Sequence, residues 1–451
     1  MKPKKPGLKV LMRWARRKIS VSSWRFFVAG QGMSLRTGRY IVEAVFVGVL
    51  AGFVVVGFHW MICLGFRHIF AHIAGMSPWL AALLPAAGAL AGHLLIKRFD
   101  SLEHARGTDS AILAYHRRHG YVPPAVIPVK SAASVLTVAS GGSAGYEGPV
   151  TLLGAACGSL VASWFGLSRR ARRILMTAGL SAGIAALFQA PLAGAIFGFE
   201  ILYSSSDVEN EAILPCFIAS AISYTIFACF YGWDPIFSMP QFRYDNALRL
   251  MPYLILAIFI TFGARFYITC FRSTERQFRQ IRIPGWMKVA AGGLVTGAIG
   301  LMMPQVLGTS YSMIAQCLHP RGFTILFLLV FFVLKVVATS FTVGSGGSGG
   351  VFAPAIACGG SLGAAVGMML NCLWPNMGIQ PSSFALVGMA GFLASCNRIP
   401  LAATVMVSEI SGNYQLVLPA MWVCCISFWL NNGWSLYRSQ VHNRDASPVH
   451  T

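Results

Sequence analysis

Long apolar runs separated by short polar breaks dominate the chain. They cover residues 39–68, 79–95, 150–165, 175–202, 213–231, 251–271, 289–303, 324–338 and 352–374, and the run 175–202 is expected to carry a turn at Pro191–Gly194. The runs are long and do not alternate residue by residue, which predicts membrane helices rather than the strands of a barrel. Two runs behave differently from the rest. Residues 130–149 read KSAASVLTVASGGSAGYEGP, and residues 335–354 read KVVATSFTVGSGGSGGVFAP. Aligned without gaps at a separation of 205, they agree at 10 of 20 positions. Each is an apolar segment that breaks into a Gly/Ser loop and restarts at a proline, a residue that suits the first turn of a helix. Flexible linkers have no reason to repeat in register inside hydrophobic sequence. The pattern predicts a pair of broken membrane helices whose backbone N–H groups are freed at the break.

A second internal match supports a duplication. Residues 179–200 align with residues 388–409 at an offset of 209, with Gly179/Gly388, Ala185/Ala394, Pro191–Ala193/Pro400–Ala402 and Glu200/Glu409 coinciding. The clearest polar break in mid-chain, 234–249, divides the two copies. The expected organisation is a basic cytoplasmic segment at 1–38, a first membrane repeat at 39–238, a second at 249–442 and a short cytoplasmic tail at 443–451. Two related halves with broken helices are the mark of a transporter-type fold, with the ligand site near mid-membrane at the repeat interface. Whether the halves run parallel or inverted is left open by the residues.

Composition sharpens the class. The 451 residues are 56% hydrophobic and only 11% charged, against about 25% charged in a typical soluble domain. The net charge of +21 resides in tails and loops between apolar runs, so it reports topology rather than nucleic-acid binding. Residues 1–39 hold 11 Lys/Arg and no acid, which places the N-terminus in the cytoplasm. Within it, 11–27 reads as an amphipathic surface helix, and no cleavable signal peptide is expected. Basic clusters at Arg169–Arg173 and Arg272–Arg282 read as cytoplasmic too. The 11 cysteines are scattered without a CxxC and act as small hydrophobes. His68 and His72 stand one turn apart, zinc-ligand spacing, but no third ligand accompanies them, so the expected metal content is none. No Ser/His/Asp set, metal motif or phosphate loop points to an enzyme. Against this, only 14 acids occur in the chain, and one of them, Glu147, sits inside a broken apolar segment, where a carboxylate is costly and by default functional.

At this point the motifs resemble those of the CLC chloride channels and proton/chloride exchangers. GYEGP at 145–149, GVFAP at 350–354, PLAGAIFGFE at 191–200, SGNYQLVLP at 411–419 and Leu436-Tyr437 carry the resemblance, which spans roughly residues 40–440. It implies an all-α polytopic membrane protein of two inverted repeats, assembled as a homodimer with one anion pathway per subunit, in the cell's inner (plasma) membrane. It implies no cofactor; chloride is the transported ligand. The implied gate is Glu147. The implied chloride-binding set is Thr108, Tyr146, Gly148, Val351, Phe352 and Tyr437, with Tyr437 donating its hydroxyl from a last short helical stretch. Backbone N–H groups at helix starts suit an anion, and glycine lets the backbone come close.

Two departures from the family pattern matter. The usual GSGIP is replaced by Gly107-Thr108-Asp109-Ser110, where Thr108 stands for the motif's serine and Thr108 or Asp109 is expected to cap a short helix. The proton-relay glutamate that many exchangers carry after the conserved one is Ile201 here, beside Glu200. Isoleucine carries no proton. The expected function is therefore passive, voltage- or pH-gated chloride conduction with Glu147 as gate, the alternative being secondary-active proton/chloride antiport.

Overall fold

The structure, a computed structural model, describes residues 40–70, 77–99, 107–237, 242, 247–318 and 322–450. The basic segment 1–38, its surface helix and His72 lie outside the described residues. Sixteen α-helices occur among those described, and eight of them precede the polar break. These are α1 (Ile41–Gly65), α2 (Pro78–Lys97), α3 (Thr108–Arg117), α4 (Val126–Ala139), α5 (Glu147–Trp164), α6 (Arg169–Leu187), α7 (Pro191–Glu200) and α8 (Ile213–Tyr231). Eight follow it: α9 (Met251–Gln280), α10 (Gly285–Met302), α11 (Tyr311–Leu318), α12 (Ile325–Gly344), α13 (Phe352–Leu373), α14 (Pro381–Asn397), α15 (Pro400–Ser411) and α16 (Val417–Leu430).

The helices match one for one in order, and their junctions match in backbone detail. Tyr146 and Val351, the N-caps of α5 and α13, share φ −100° with ψ near zero. Gln189 and Arg398, at the α6–α7 and α14–α15 corners, are both left-handed, with φ of 49° and 62°. The two copies meet at an antiparallel bridge between Gly145 and Gly350, which donate to each other's carbonyls at 2.8 and 2.6 Å. Residues 205 apart that pair antiparallel put the second copy upside down relative to the first. The fold is that of two inverted repeats.

Membrane length and lipid exposure separate two classes of helix. Seven stretches, which take in α1, α2, α8, α9, α10, α12 and α13, are long and apolar enough to cross a membrane. Several of these helices present large side chains outward, as Phe46, Phe53 and Trp60 do on α1 and Phe262 on α9. Helices α5, α6 and α14 are instead rich in Gly, Ala and Ser and almost wholly buried. Small residues let their backbones touch, since hydrocarbon gives no hydrophobic drive for one helix to seek another. A Cβ on Gly154 would lie 2.1 Å from the Gly179 carbonyl oxygen, and in the second repeat a Cβ on Gly359 would lie 2.5 Å from that of Gly388.

Four expectations need correction. The first restart begins at Glu147, two residues before Pro149, which falls in the first turn. Pro191 opens α7 rather than forming a turn; the corner is made by Phe188–Ala190, because proline supplies no N–H and fits a helix's first position. Helix α3 is capped by Gly107, with no side-chain cap from that residue; its carbonyl accepts from Ser110 and Ala111. Leu436 and Tyr437 lie in a non-helical segment held by one backbone bond and one side chain: the Leu436 N–H donates to the Cys396 carbonyl, and the Gln440 amide donates to the carbonyls of Ile201 and Asn397.

Candidate functional site

The site forms where the two broken helices face each other. The N-terminus of α5 and that of α13 approach across the Gly145–Gly350 bridge. Both helix starts bring N–H groups with no partner inside their own helix, and both carry the positive end of the helix dipole. Glycine is required for the approach: a Cβ on Gly350 would lie 2.6 Å from the Gly148 nitrogen.

Glu147 is fully buried, and its carboxylate reaches over to the opposite repeat. Oε2 accepts the N–H of Ala353, in the first turn of α13, at 3.1 Å. The carboxylate lies directly over Gly145, where any Cβ would collide with Oε2. Oε1 accepts the hydroxyl of Tyr311 at 2.9 Å. A carboxylate thus takes the donors that an anion at the helix start would use.

The other expected residues gather around the same point. Val351 caps α13, and its carbonyl accepts the Tyr267 hydroxyl at 3.1 Å. Phe352 is the first residue of α13 and is buried against Phe188 and Phe197, with ring centroids at 5.4 and 5.8 Å. Tyr146 caps α5 and stacks on Tyr311 at 5.9 Å. Gly148 packs against Gly107, the residue before Thr108. Tyr437 and Thr108 are both buried, and their hydroxyls face each other. Asp109 points away from this pair. Its two oxygens take the N–H and hydroxyl of Ser439 at 2.9 and 3.1 Å, so its charge helps hold the segment that carries Tyr437.

Glu200 and Glu409 form a reciprocal pair. Glu200 accepts the N–H groups of Leu401 and Ala402 at 2.8 Å each, and Glu409 those of Leu192 and Ala193 at 3.0 and 2.7 Å. Each carboxylate caps the PLA helix start of the other repeat. Ile201 is fully buried.

Two participants escape a reading by family motifs. One is Tyr311. The other is Lys335, fully buried, whose ammonium donates to the carbonyls of Val306 and Gly308 at 2.9 and 2.7 Å. A signal for both exists in the duplication. Lys335 is the repeat-mate of Lys130, and Gly308-Thr309, just before Tyr311, echoes Gly107-Thr108.

Two inverted repeats whose broken helices bring their N-termini together, inside a bundle of membrane-length helices, have the build of a membrane transport protein. The chain belongs to the CLC family: residues 87–432 match the voltage gated chloride channel family, whose activity is chloride transport. A ClcB-like chloride channel protein of Ralstonia nicotianae is 32% identical over 356 residues, covering 78% of this chain and 82% of that protein. The H(+)/Cl(-) exchange transporter ClcA of Klebsiella pneumoniae is 32% identical over 353 residues, covering 76% and 74%. Among solved structures, a slow cyanobacterial Cl-/H+ antiporter superposes with TM-score 0.79 at 23% identity, covering 90% of this chain and 97% of that one. A CLC-type fluoride/proton antiporter gives TM-score 0.79 at 22% identity, covering 90% and 98%. These two likenesses concern the fold.

Proposed function

We propose that the chain exchanges chloride for protons, with Glu147 as the group both ions compete for. The observation that carries this is the Glu147 carboxylate held by the Ala353 N–H at the start of α13. While charged, it occupies the donors an anion needs. Once protonated it is a poor acceptor for them and gives way to chloride; chloride leaving lets the proton go and the carboxylate return. Occupancy by one ion is thereby tied to that of the other, which is the minimum that exchange requires.

The relatives favour exchange over passive conduction, since ClcA proteins at 31–32% identity are named H(+)/Cl(-) exchange transporters. Passive, voltage-gated conduction rested on Ile201 alone. A buried isoleucine rules out a side-chain relay at that position, not proton entry through ordered water or another titratable group. In this reading Thr108 and Tyr437 present hydroxyls to chloride on one side of the Glu147 seat, and the backbone at Tyr146, Gly148, Val351 and Phe352 presents the rest. The chain works as a homodimer in the inner membrane with a cytoplasmic N-terminus. Residues 39–238 and 249–442 act as the two halves of each pathway. The test is chloride flux from purified protein in liposomes with external pH recorded. Proton uptake driven by a chloride gradient supports exchange; chloride flux without it supports a channel.

A further inference from the structure

Besides its own backbone N–H, the gate carboxylate takes donors from two other residues, and only one of these belongs to a family motif. Ala353 comes from GVFAP; the other, the Tyr311 hydroxyl, comes from the first residue of α11, at 2.9 Å from Glu147 Oε1. Three observations make this contact a built one. The ring of Tyr311 is fixed by stacking on Tyr146 at 5.9 Å and by Phe237 at 6.5 Å. The loop just before it is tied down by the buried ammonium of Lys335 through the Val306 and Gly308 carbonyls. The inverted repeat gives the contact a counterpart: Gly107-Thr108 opens α3 and brings Thr108 to Tyr437, while Gly308-Thr309 precedes α11, sets Thr309 against Tyr146 and brings Tyr311 to Glu147.

We propose that Tyr311 is a positioning residue for the gate: its hydroxyl latches the Glu147 carboxylate in the seat that blocks the anion path, with Lys335 holding the latch loop in register. This rests on Glu147 being the gate. A donated hydrogen bond stabilises the carboxylate over the neutral acid, so removing it makes protonation and opening easier. The groups facing Glu147 from the surrounding elements are Tyr146, Tyr267, Tyr311, Lys335 and Tyr437. Lys335 is the one basic side chain among these described groups, and an ordinary phenol is uncharged at neutral pH. Tyr311 therefore acts by a hydrogen bond, not by charge.

The experiment is chloride efflux from liposomes across pH for the unaltered protein, Tyr311→Phe, Glu147→Gln and the double variant. Phenylalanine keeps the stack on Tyr146 and removes only the donor. Tyr311→Phe is expected to raise efflux at neutral pH by about tenfold and to move the acid activation of flux roughly one pH unit upward. The double variant is expected to match Glu147→Gln alone. An unaltered pH profile in Tyr311→Phe, beside a pH-independent Glu147→Gln, overturns the latch and leaves the gate standing. Equal acceleration by Tyr311→Phe with and without Glu147 also overturns it. A Glu147→Gln variant with the original pH profile removes the gate itself, and the latch with it.

Discussion

At the scale of single residues, the site turns on who holds the anion-type seat. Glu147 occupies it through Ala353, so its removal as a charge is the first prediction: Glu147→Gln carries chloride at a rate independent of pH. Flux measured from pH 4 to 8 checks this, and a retained pH response excludes Glu147 as the gate. The second concerns Tyr437, whose hydroxyl faces Thr108 in a buried setting. Losing a hydrogen bond to a charged group costs roughly 1.5–3 kcal/mol. Tyr437→Phe is expected to weaken chloride binding by calorimetry about tenfold or more, and equal affinity in the variant assigns the hydroxyl to packing. Glu147, Tyr146, Gly148, Val351, Phe352, Thr108 and Tyr437 could all be named in the sequence because they sit on or beside motifs. Tyr311 is announced in sequence only by the Gly308-Thr309 echo of Gly107-Thr108, because its role depends on which loop a three-dimensional fold lays over a carboxylate 164 residues away. Asp109 was misjudged for a related reason. Its side chain holds a segment 330 residues later.

Among the elements, the broken helices were legible because both copies carry the same Gly/Ser break, and a pattern seen twice in register is hard to produce by chance. The reciprocal capping of α7 and α15 was half legible. Glu200 and Glu409 coincide when the two repeats are aligned, but that each caps a helix start of the other repeat emerges only in the fold. The corner before α7 lies at Phe188–Ala190 rather than at Pro191–Gly194, since proline marks a helix start and a turn equally well in sequence. The two caps differ in setting: Glu200 is 3% exposed, whereas Glu409 is only partly buried. Glu200→Ala leaves two buried N–H groups unpaired and is expected to cost about 2–4 kcal/mol, while at Glu409 solvent can substitute and roughly half of that is expected. Thermal unfolding midpoints in detergent, with Glu200→Ala below Glu409→Ala, check the order. The reverse order would assign the larger share to packing of α7 and α15 rather than to the caps.

For the whole molecule, the inverted duplication explains why two helix starts meet at its middle. Each repeat brings a helix N-terminus to the same point from opposite directions, and neither repeat alone supplies both. Apolar runs and net basic charge made the membrane class plain from composition. The mode of transport was not plain, because Ile201 removes one proton carrier from the sequence without showing what water or other groups do in the folded pathway. The most direct measurement places purified protein in liposomes under an outward chloride gradient with no pH gradient, and records external pH. Exchange gated by Glu147 gives sustained uphill proton uptake that disappears in Glu147→Gln while chloride flux continues. Chloride efflux with no proton movement in the unaltered protein would contradict it and make the chain a passive chloride channel.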